Sequence, residues 1–411
     1  MRLRFLRTPA VAALLLVALF VVANLGAFDG YFSDDDLDNL GWNSFVGIDE
    51  YGRGIRDVLL SPHNFRPAGH IFYWVLVRVA GLDFAWYVAV IVALHLANGA
   101  LVWGLLRKLD LPPWPALAAA ALWAFHPALT MAHWKPMYVF DLVCGSFCLL
   151  TLHAWLRGRW VVAVLTFWCA YKAKEIAIFL PAAIVLYEFT VGRKQWKPLL
   201  PLLAISASFG LQALLAPRGP ETPYTLRVSF DALWTCLRFY GPALGVLTGV
   251  AMLAGVSRRT WWALGGFLLL MIPLLILPGR LFAVYLYVPS ILAAVLIGHA
   301  ATTQRWPVVL AFLALAGYQD HRRLREFRRE ELAGAVERQR YVETLARYLK
   351  ARAALDSITL SGTPTSMNRW GPEGAVHLLS RRHDLPVEWK DAPDALRWDP
   401  EDRQLKLPGL P

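Results

Sequence analysis

The sequence predicts an all-helical protein that crosses a membrane many times and ends in a small soluble α/β domain. The chain of 411 residues is 57% hydrophobic and contains 18 Trp. Its mean hydropathy of +0.43 is too high for a soluble domain of this size. Apolar runs of spanning or near-spanning length recur up to about residue 318. From Asp320 to Pro411 no such run occurs, and 17 Lys and Arg balance 15 Asp and Glu.

We predict about eleven transmembrane helices from these apolar runs. Their approximate positions are 9–27, 84–106, 114–126, 138–156, 159–171, 175–190, 198–216, 232–256, 260–278, 282–303 and 306–318. The first run is expected to be an uncleaved anchor, because no clear small-x-small cleavage site follows it. The stretch 67–81 is expected to form an additional re-entrant or interfacial helix. This divides the chain into a transmembrane domain at 1–318, with an acidic first outer loop at 28–66, and a soluble domain at 319–411.

The distribution of charge predicts the orientation of these helices. With the N-terminus inside, every even-numbered connection is cytoplasmic, and all five of these connections are basic, as the positive-inside rule requires. Their cations are Arg107, Lys108, Arg157, Arg159, Arg193, Lys194, Lys197, Arg258, Arg259 and Arg305. The first outer loop holds 8 acidic residues from Phe28 to Phe65. An odd number of spans then places the tail outside, which in a bacterial inner membrane is the periplasm. The basic segment His321 to Arg329 opposes this placement.

The soluble tail has the pattern of a small α/β domain. Apolar residues recur at helical spacing from Leu324 to Leu349, which predicts an amphipathic helix. A short helix is expected near 373–381, and strands are expected at 357–360, 386–389 and 403–407.

A cluster of carboxylates follows the first span. Asp34, Asp35 and Asp36 are consecutive, and such neighbours repel one another, so that at least one tends to have a raised pKa. In a sugar transfer one carboxylate can act as general base on an acceptor hydroxyl while another orients it. An acidic turn or a helix cap would produce the same pattern. The position of the cluster, opposite a set of cations, favours the catalytic interpretation.

Cations occur where the positive-inside rule disfavours them, at the predicted outer ends of spans. Several polar side chains accompany them, and the candidate substrate-binding residues are His63, Arg66, His126, Lys135, Lys174, Glu175, Arg280 and Tyr287. A departing lipid phosphate develops negative charge at the headgroup level, where guanidinium and ammonium groups stabilise it. Each cation alone could instead reach to lipid phosphates or pair with a nearby carboxylate.

Other kinds of site are poorly supported. The sequence contains neither a Gly-rich dinucleotide loop nor a Walker-type loop, which argues against a nucleotide-sugar or ATP site. The 4 Cys all lie in apolar stretches and match neither a disulfide framework nor a zinc site. No metal ligand is assigned. A carboxylate cluster could hold a divalent metal ion, although nothing in the sequence requires one. No nucleic-acid partner is expected.

Five segments together resemble the bacterial integral-membrane glycosyltransferases of the C-type fold, which include protein O-mannosyltransferases and the aminoarabinose transferases of lipid A. These segments are FSDDD at 32–36, FRPAGH at 65–70, HPALTMAHW at 126–134, KEIAIFLP at 174–181 and YLYVPS at 285–290. The resemblance covers roughly residues 1–300 and leaves the tail uncovered. The sequence departs from the family pattern in two ways: Ala283 and Val284 replace an acidic-basic pair, and the Arg of an Arg-x-Asp is missing before Asp141.

The resemblance implies an inverting transfer of a sugar from a polyprenyl-phosphate carrier to a glycan, lipid or protein acceptor at the periplasmic face. It implies Asp34 or Asp35 as base or acceptor-orienting group, with Arg66 and Lys174 at the donor phosphate. Two alternatives remain, a transporter or flippase of lipid-linked sugars and a non-catalytic assembly protein of a cell-envelope pathway. The expected partners are the lipid-linked donor, membrane lipids and the acceptor.

Overall fold

The structure is a computed structural model that describes residues 8–59, 65–215, 225–255, 257–303, 305–352 and 355–406. It is mostly helical, with 73% of the residues in helices. The α-helices of the described residues are α1 (Pro9–Ala23), α2 (Asp34–Asn43), α3 (Ile48–Arg56), α4 (Pro67–Val79), α5 (Phe84–Lys108), α6 (Pro113–Ala124), α7 (Thr130–Trp134), α8 (Val139–Leu156), α9 (Trp160–Ala173), α10 (Leu180–Thr190), α11 (Leu200–Leu215), α12 (Phe230–Ala254), α13 (Arg258–Leu275), α14 (Ser290–Ala300), α15 (Trp306–Ala351) and α16 (Trp370–Ser380). Short 3-10 turns join several of them.

Four helical segments of the described residues are long and apolar enough to cross a membrane. They are Pro9–Asp29, Phe84–Lys108, Pro136–Leu156 and Phe230–Ala254. The pair Pro113–Ala124 and Pro127–Trp134, bent by 52°, passes the same test as one broken span. Helices α9 and α14 are apolar but shorter. The protein is therefore a helical, membrane-embedded chain, and the expectation of about eleven spans stays a prediction.

The bundle has two ends with different chemistry. The basic connections predicted to be cytoplasmic meet at one of them, which we call the basic end. There Arg259 pairs with Asp110 at 3.1 Å, Trp155 donates to Glu188 at 2.8 Å, and Lys108 contacts His153. We call the other end, where α2 lies, the acidic end. The contacts at the basic end join basic connections that are far apart in the sequence.

Helix α15 runs without interruption through the predicted boundary between residues 318 and 319. It has 46 residues, and no proline follows Pro307 to stop it. Its Arg328 donates to the Ala23 carbonyl at 3.2 Å and to the Asn24 side chain at 2.9 Å, at the end of α1. The basic segment 321–329 therefore adjoins the α1 terminus that leads into α2. The composition changes at this boundary, but the backbone remains helical across it.

The tail forms a small mixed sheet covered by helices. Its strands are β1 (Ile358–Ser361), β2 (Val387–Trp389), β3 (Leu396–Asp399) and β4 (Gln404–Lys406), in the order β2-β1-β3-β4. Strand β1 is parallel to β2 and β3, and β4 is antiparallel to β3. The crossover from β1 to β2 passes through α16, as parallel strands require. The sequence predicted β1, α16, β2 and β4 but not β3.

Candidate functional site

The three consecutive aspartates begin α2, and the structure gives Asp36 a role in the helix cap. The backbone N–H and hydroxyl of Ser33 donate to Asp36 Oδ2 at 2.8 Å and 2.7 Å, and the Ser33 hydroxyl accepts from the Asp36 N–H. This is a capping box, which satisfies donors that the first turn of a helix leaves unpaired. Tyr73 of α4 donates to Oδ1 at 2.7 Å, and the side chain is fully buried. Asp36 therefore joins α2 to α4.

Asp34 and Asp35 are instead partly exposed and contact the tail. Asp34 Oδ2 accepts from the side-chain amide of Asn368, and its Oδ1 accepts from the Asp35 N–H at 3.0 Å. Asp35 Oδ1 accepts from the Trp370 indole N–H at 2.8 Å. Among the hydrogen bonds of the described residues, none reaches Asp35 Oδ2. Of the three aspartates, Asp35 is therefore the one with a carboxylate oxygen that accepts no hydrogen bond from the described residues.

Two ion pairs lie deeper at the acidic end. Lys174 Nζ lies 2.8 Å and 2.7 Å from the two carboxylate oxygens of Asp141. Arg66 makes a bidentate pair with Glu175, with both N–O distances at 2.9 Å. Asp141 is 1% exposed, and bidentate guanidinium–carboxylate pairs are among the stronger interactions of their kind. The structure therefore brings Arg66, Lys174 and Glu175 together, as the sequence predicted them to be in one site.

Aromatic side chains connect these pairs to Arg280. The ring of Tyr285 lies 4.3 Å from Lys174 Nζ, and its hydroxyl accepts from Arg280 Nε at 3.3 Å. The guanidinium of Arg280 also lies over the ring of Phe282, 5.0 Å from its centroid. Lys174 and Arg280 thus reach the same tyrosine from two sides.

The electrostatic environment of Asp35 includes Arg280 and Lys135. Burial and the neighbouring Asp34 carboxylate raise the pKa of Asp35, and the Trp370 hydrogen bond together with the charges of Arg280 and Lys135 offsets part of this effect. Burial likewise raises the pKa of Asp36 to about 6, although its hydrogen bonds lower it. A carboxylate with a raised pKa is a better proton acceptor near neutral pH.

Lys135 connects this site to α15. Its Nζ lies 2.8 Å from Glu331 Oε2, and Glu331 also pairs with Arg338. Arg338 is 2% exposed and donates to the carbonyls of Phe32 at 2.9 Å and Tyr31 at 3.3 Å. Burial raises the pKa of Glu331, but Lys135 and Arg338 outweigh it and lower the pKa overall. The long helix is therefore bonded to the segment that precedes α2.

The other predicted substrate-binding residues lie elsewhere. Tyr287 is fully buried, where its hydroxyl accepts from Asn98 Nδ2 at 3.0 Å and contacts His95 Nδ1 at 2.9 Å. Because His95 Nε2 faces the Ala124 carbonyl at 2.9 Å, Nδ1 is the acceptor and Tyr287 the donor. His126 is exposed and accepts from the Ala128 N–H in a local turn. His63 lies outside the described residues.

Several residues of the site were not among the sequence candidates, namely Asp141, Tyr285, Glu331, Asn368 and Trp370. Asp141 carries a sequence signal, since an acidic group in an apolar run needs a partner. The capping pattern Ser33-x-x-Asp36 is also readable, and it separates Asp36 from its two neighbours. Asn368 and Trp370 carry no such signal, because they lie 334 and 335 residues from their partners.

The acidic end therefore combines a carboxylate that has one oxygen without a hydrogen bond from the described residues, a buried ion pair, a half-buried ion pair and Arg280. This arrangement is suited to proton abstraction beside a stabilised anion. Among the described residues, no group of three or more His, Cys, Asp or Glu side chains is arranged to hold a metal ion. No protein-family model, no curated protein and no solved structure matches this chain.

Proposed function

We propose that the protein is an inverting glycosyltransferase that takes a sugar from a polyprenyl-phosphate carrier at the periplasmic face of a bacterial inner membrane. The observation that carries the proposal is the convergence, at one end of a membrane-embedded bundle, of Asp35 with Arg280 and Lys135. The proposal also includes a C-type fold with about eleven spans and a tail on the periplasmic side. The acceptor is a glycan, a lipid or a protein.

Asp35 is the base in this proposal. Its Oδ1 is held by Trp370, and its Oδ2 takes the proton of an acceptor hydroxyl. The acceptor oxygen forms a bond to the anomeric carbon, and the bond from that carbon to the phosphate oxygen breaks. The electron pair leaves with polyprenyl phosphate. Both oxygens of Asp34 already accept hydrogen bonds, and Asp36 is fully buried, so each is less suited to this step.

The cations stabilise the leaving phosphate. Arg280 lies near the base and contacts Tyr285, whose ring also faces Lys174. A guanidinium carries five N–H donors and an ammonium three, so a cation that is paired with a carboxylate still has donors for a phosphate oxygen. The pairs Lys174–Asp141 and Arg66–Glu175 hold these groups in position before the donor binds.

The test is transfer of a labelled sugar from synthetic undecaprenyl-phosphate donors by the full chain in nanodiscs. Asp35→Asn is expected to reduce transfer by about 10²- to 10⁴-fold, the usual contribution of a general base. Asp49→Asn is the matched control, because Asp49 is a carboxylate of the same outer loop but is exposed on α3 and lies away from the contact with the tail. It should retain activity. Equal activity of Asp35→Asn and the wild type would contradict the assignment.

A non-catalytic assembly protein is the second candidate. The observation that favours it is the internal pairing of the cations, since Lys135, Lys174 and Arg66 each contact a carboxylate of the same chain. In addition, the tail covers Asp34 and one oxygen of Asp35. Donor binding without release of polyprenyl phosphate, across a broad panel of donors and acceptors, would favour this candidate over the enzyme.

A further inference from the structure

Helix α16 of the tail packs directly against the acidic helix α2. A Cβ atom on Gly371 would lie 2.7 Å from the Cα of Asp34, and one on Gly374 would lie 2.5 Å from the Cα of Asp38. From the other side, a Cβ on Gly41 would lie 2.5 Å from the Gly374 carbonyl oxygen. Glycine is required where two backbones approach so closely. The three glycines therefore define a contact between helices that are more than 300 residues apart in the chain.

This contact brings two polar groups of the tail onto the acidic cluster. The amide of Asn368 donates to Asp34, and the Trp370 indole donates to Asp35 at 2.8 Å. Trp370 remains 44% exposed, so its ring lies at the rim of the contact and contributes little to a buried core. The indole N–H is a donor only, which makes it a directional partner for a carboxylate.

We propose that the C-terminal tail completes the catalytic site, with Asn368 and Trp370 acting as positioning residues for Asp34 and Asp35. The role in catalysis rests on the function proposed above. Trp370 fixes one oxygen of Asp35 and thereby directs the other towards the acceptor. Hydrogen bonds of this kind orient a catalytic group before the substrate binds. The site thus needs residues both from α2, near the N-terminus, and from the C-terminal tail.

The tail is anchored to the site independently of these two residues. Arg338 of α15 donates to the carbonyls of Phe32 and Tyr31, and Glu331 of the same helix pairs with Lys135. Loss of the Trp370 N–H therefore leaves the tail attached. This separates an effect on the orientation of Asp35 from an effect on folding.

The experiment compares Trp370→Phe with Trp389→Phe in the transfer assay. Both substitutions remove an indole N–H of the tail that donates to a carboxylate. Trp370 donates to Asp35 of the acidic helix, whereas Trp389 donates at 2.6 Å to Glu373 within the tail. For Trp370→Phe we expect kcat to fall by about 10-fold, as for loss of a hydrogen bond to a charged group, with KM for the donor unchanged. The acidic limb of its pH profile should move to higher pH, because that bond lowers the pKa of Asp35. Trp389→Phe should behave as the wild type.

A second measurement does not depend on activity. The full chain in nanodiscs is treated with a water-soluble carbodiimide and an amine, and modification of each carboxylate is measured by mass spectrometry. Trp370→Phe should increase the modification of Asp35 several-fold, whereas Trp389→Phe should not.

The two readouts distinguish the failure of each proposal. If the wild type transfers sugar but Trp370→Phe changes neither kcat nor the pH profile, the positioning role is overturned while the function stands. If the wild type transfers nothing, the function fails and with it the catalytic role. Increased modification of Asp35 would then still support the contact, and unchanged modification would overturn the contact as well.

Discussion

The two ends of the bundle use charge differently. At the basic end, Arg259 and Asp110 form a pair whose side chains are 36% and 81% exposed. At the acidic end, Lys174 and Asp141 are 12% and 1% exposed, and the partners come from segments 33 residues apart. Exposed charges in connections are sufficient to orient spans. Buried pairs are not needed for orientation, and their desolvation opposes folding.

The difference indicates which charges serve the topology and which serve a site. A buried pair is weak evidence for stability, because apolar residues of similar volume often stabilise equally well. Retention of the buried Lys174–Asp141 pair, with the half-buried Arg66–Glu175 pair beside it, is therefore better explained by a requirement for charge at that place. The proposal of a phosphate-binding site follows from this contrast, and the contrast itself can be tested.

The largest expected effect concerns the sides of the membrane. Exposed residues at the two ends, Asp402 in the tail and Arg258 at the basic end, are replaced separately by cysteine in a Cys169→Ser background. The remaining cysteines are buried. In right-side-out spheroplasts an impermeant maleimide should label Asp402→Cys, and it should label Arg258→Cys only after lysis. The reverse pattern would contradict the periplasmic tail, and labelling of both variants before lysis would contradict the separation of the two ends.

The next effect is on stability and compares the two kinds of ion pair. Asp141→Asn leaves the Lys174 ammonium buried without a counter-charge and should destabilise the protein by about 3 kcal/mol, as expected for breaking a buried pair. Asp110→Asn breaks the exposed pair and should change stability by about 0–1 kcal/mol. Asparagine is chosen at this position because Asp110 has a φ of 61°, which asparagine tolerates. Unfolding in mixed micelles measures both, and equal losses would refute the distinction between the ends.

The smallest effect is a dependence of the α2–α16 contact on pH. Burial and the carboxylates of Asp35, Glu373 and Asp34 raise the pKa of Asp38 from 3.8 to about 6. Between these two values the folded state binds more protons than the unfolded state, so stability falls as pH rises through this range and is constant above it. Hydrogen exchange of α2 amides should therefore show more protection at pH 4.5 than at pH 7.5. Asp38→Asn should reduce this difference in protection. An unchanged difference in the variant would contradict a contribution of Asp38 to the pH dependence.

Much of the helical architecture could be predicted from the sequence, because apolar runs and their charged flanks are local properties. The runs at 84–106 and 138–156 correspond closely to α5 and α8. The tail strands β1, β2 and β4 were also expected. Strand β3 was missed because it directly follows a Pro-containing turn and has only two apolar residues, Leu396 and Trp398, so that its alternation is brief.

The site was less predictable, because its geometry depends on contacts between distant segments. The sequence indicated Arg66, Lys174 and Glu175, and the structure brings them together. The sequence did not distinguish among the three aspartates, whereas in the structure the hydrogen-bond partners of each aspartate distinguish it from the other two. Tyr287 was predicted to bind substrate, but the structure buries it in a polar network with His95 and Asn98. This placement depends on packing in the bundle, which the local sequence does not reveal. The docking of α16 is set by Gly371 and Gly374, and two glycines three residues apart do not identify their partner.

The continuity of α15 has a mechanical consequence. A helix of 46 residues is about 69 Å long, and in the absence of a proline or a bulge such a helix bends only gently. Its first turns belong to an apolar run, and its later turns bear the tail and hold the carbonyls of Tyr31 and Phe32. If the predicted span at 306–318 lies in the membrane, α15 acts as a lever with one arm in lipid and the other in water. A tilt of the first arm, such as a change in bilayer thickness produces, would then displace Trp370 relative to Asp35 and, under the proposed function, alter the orientation of the proposed base.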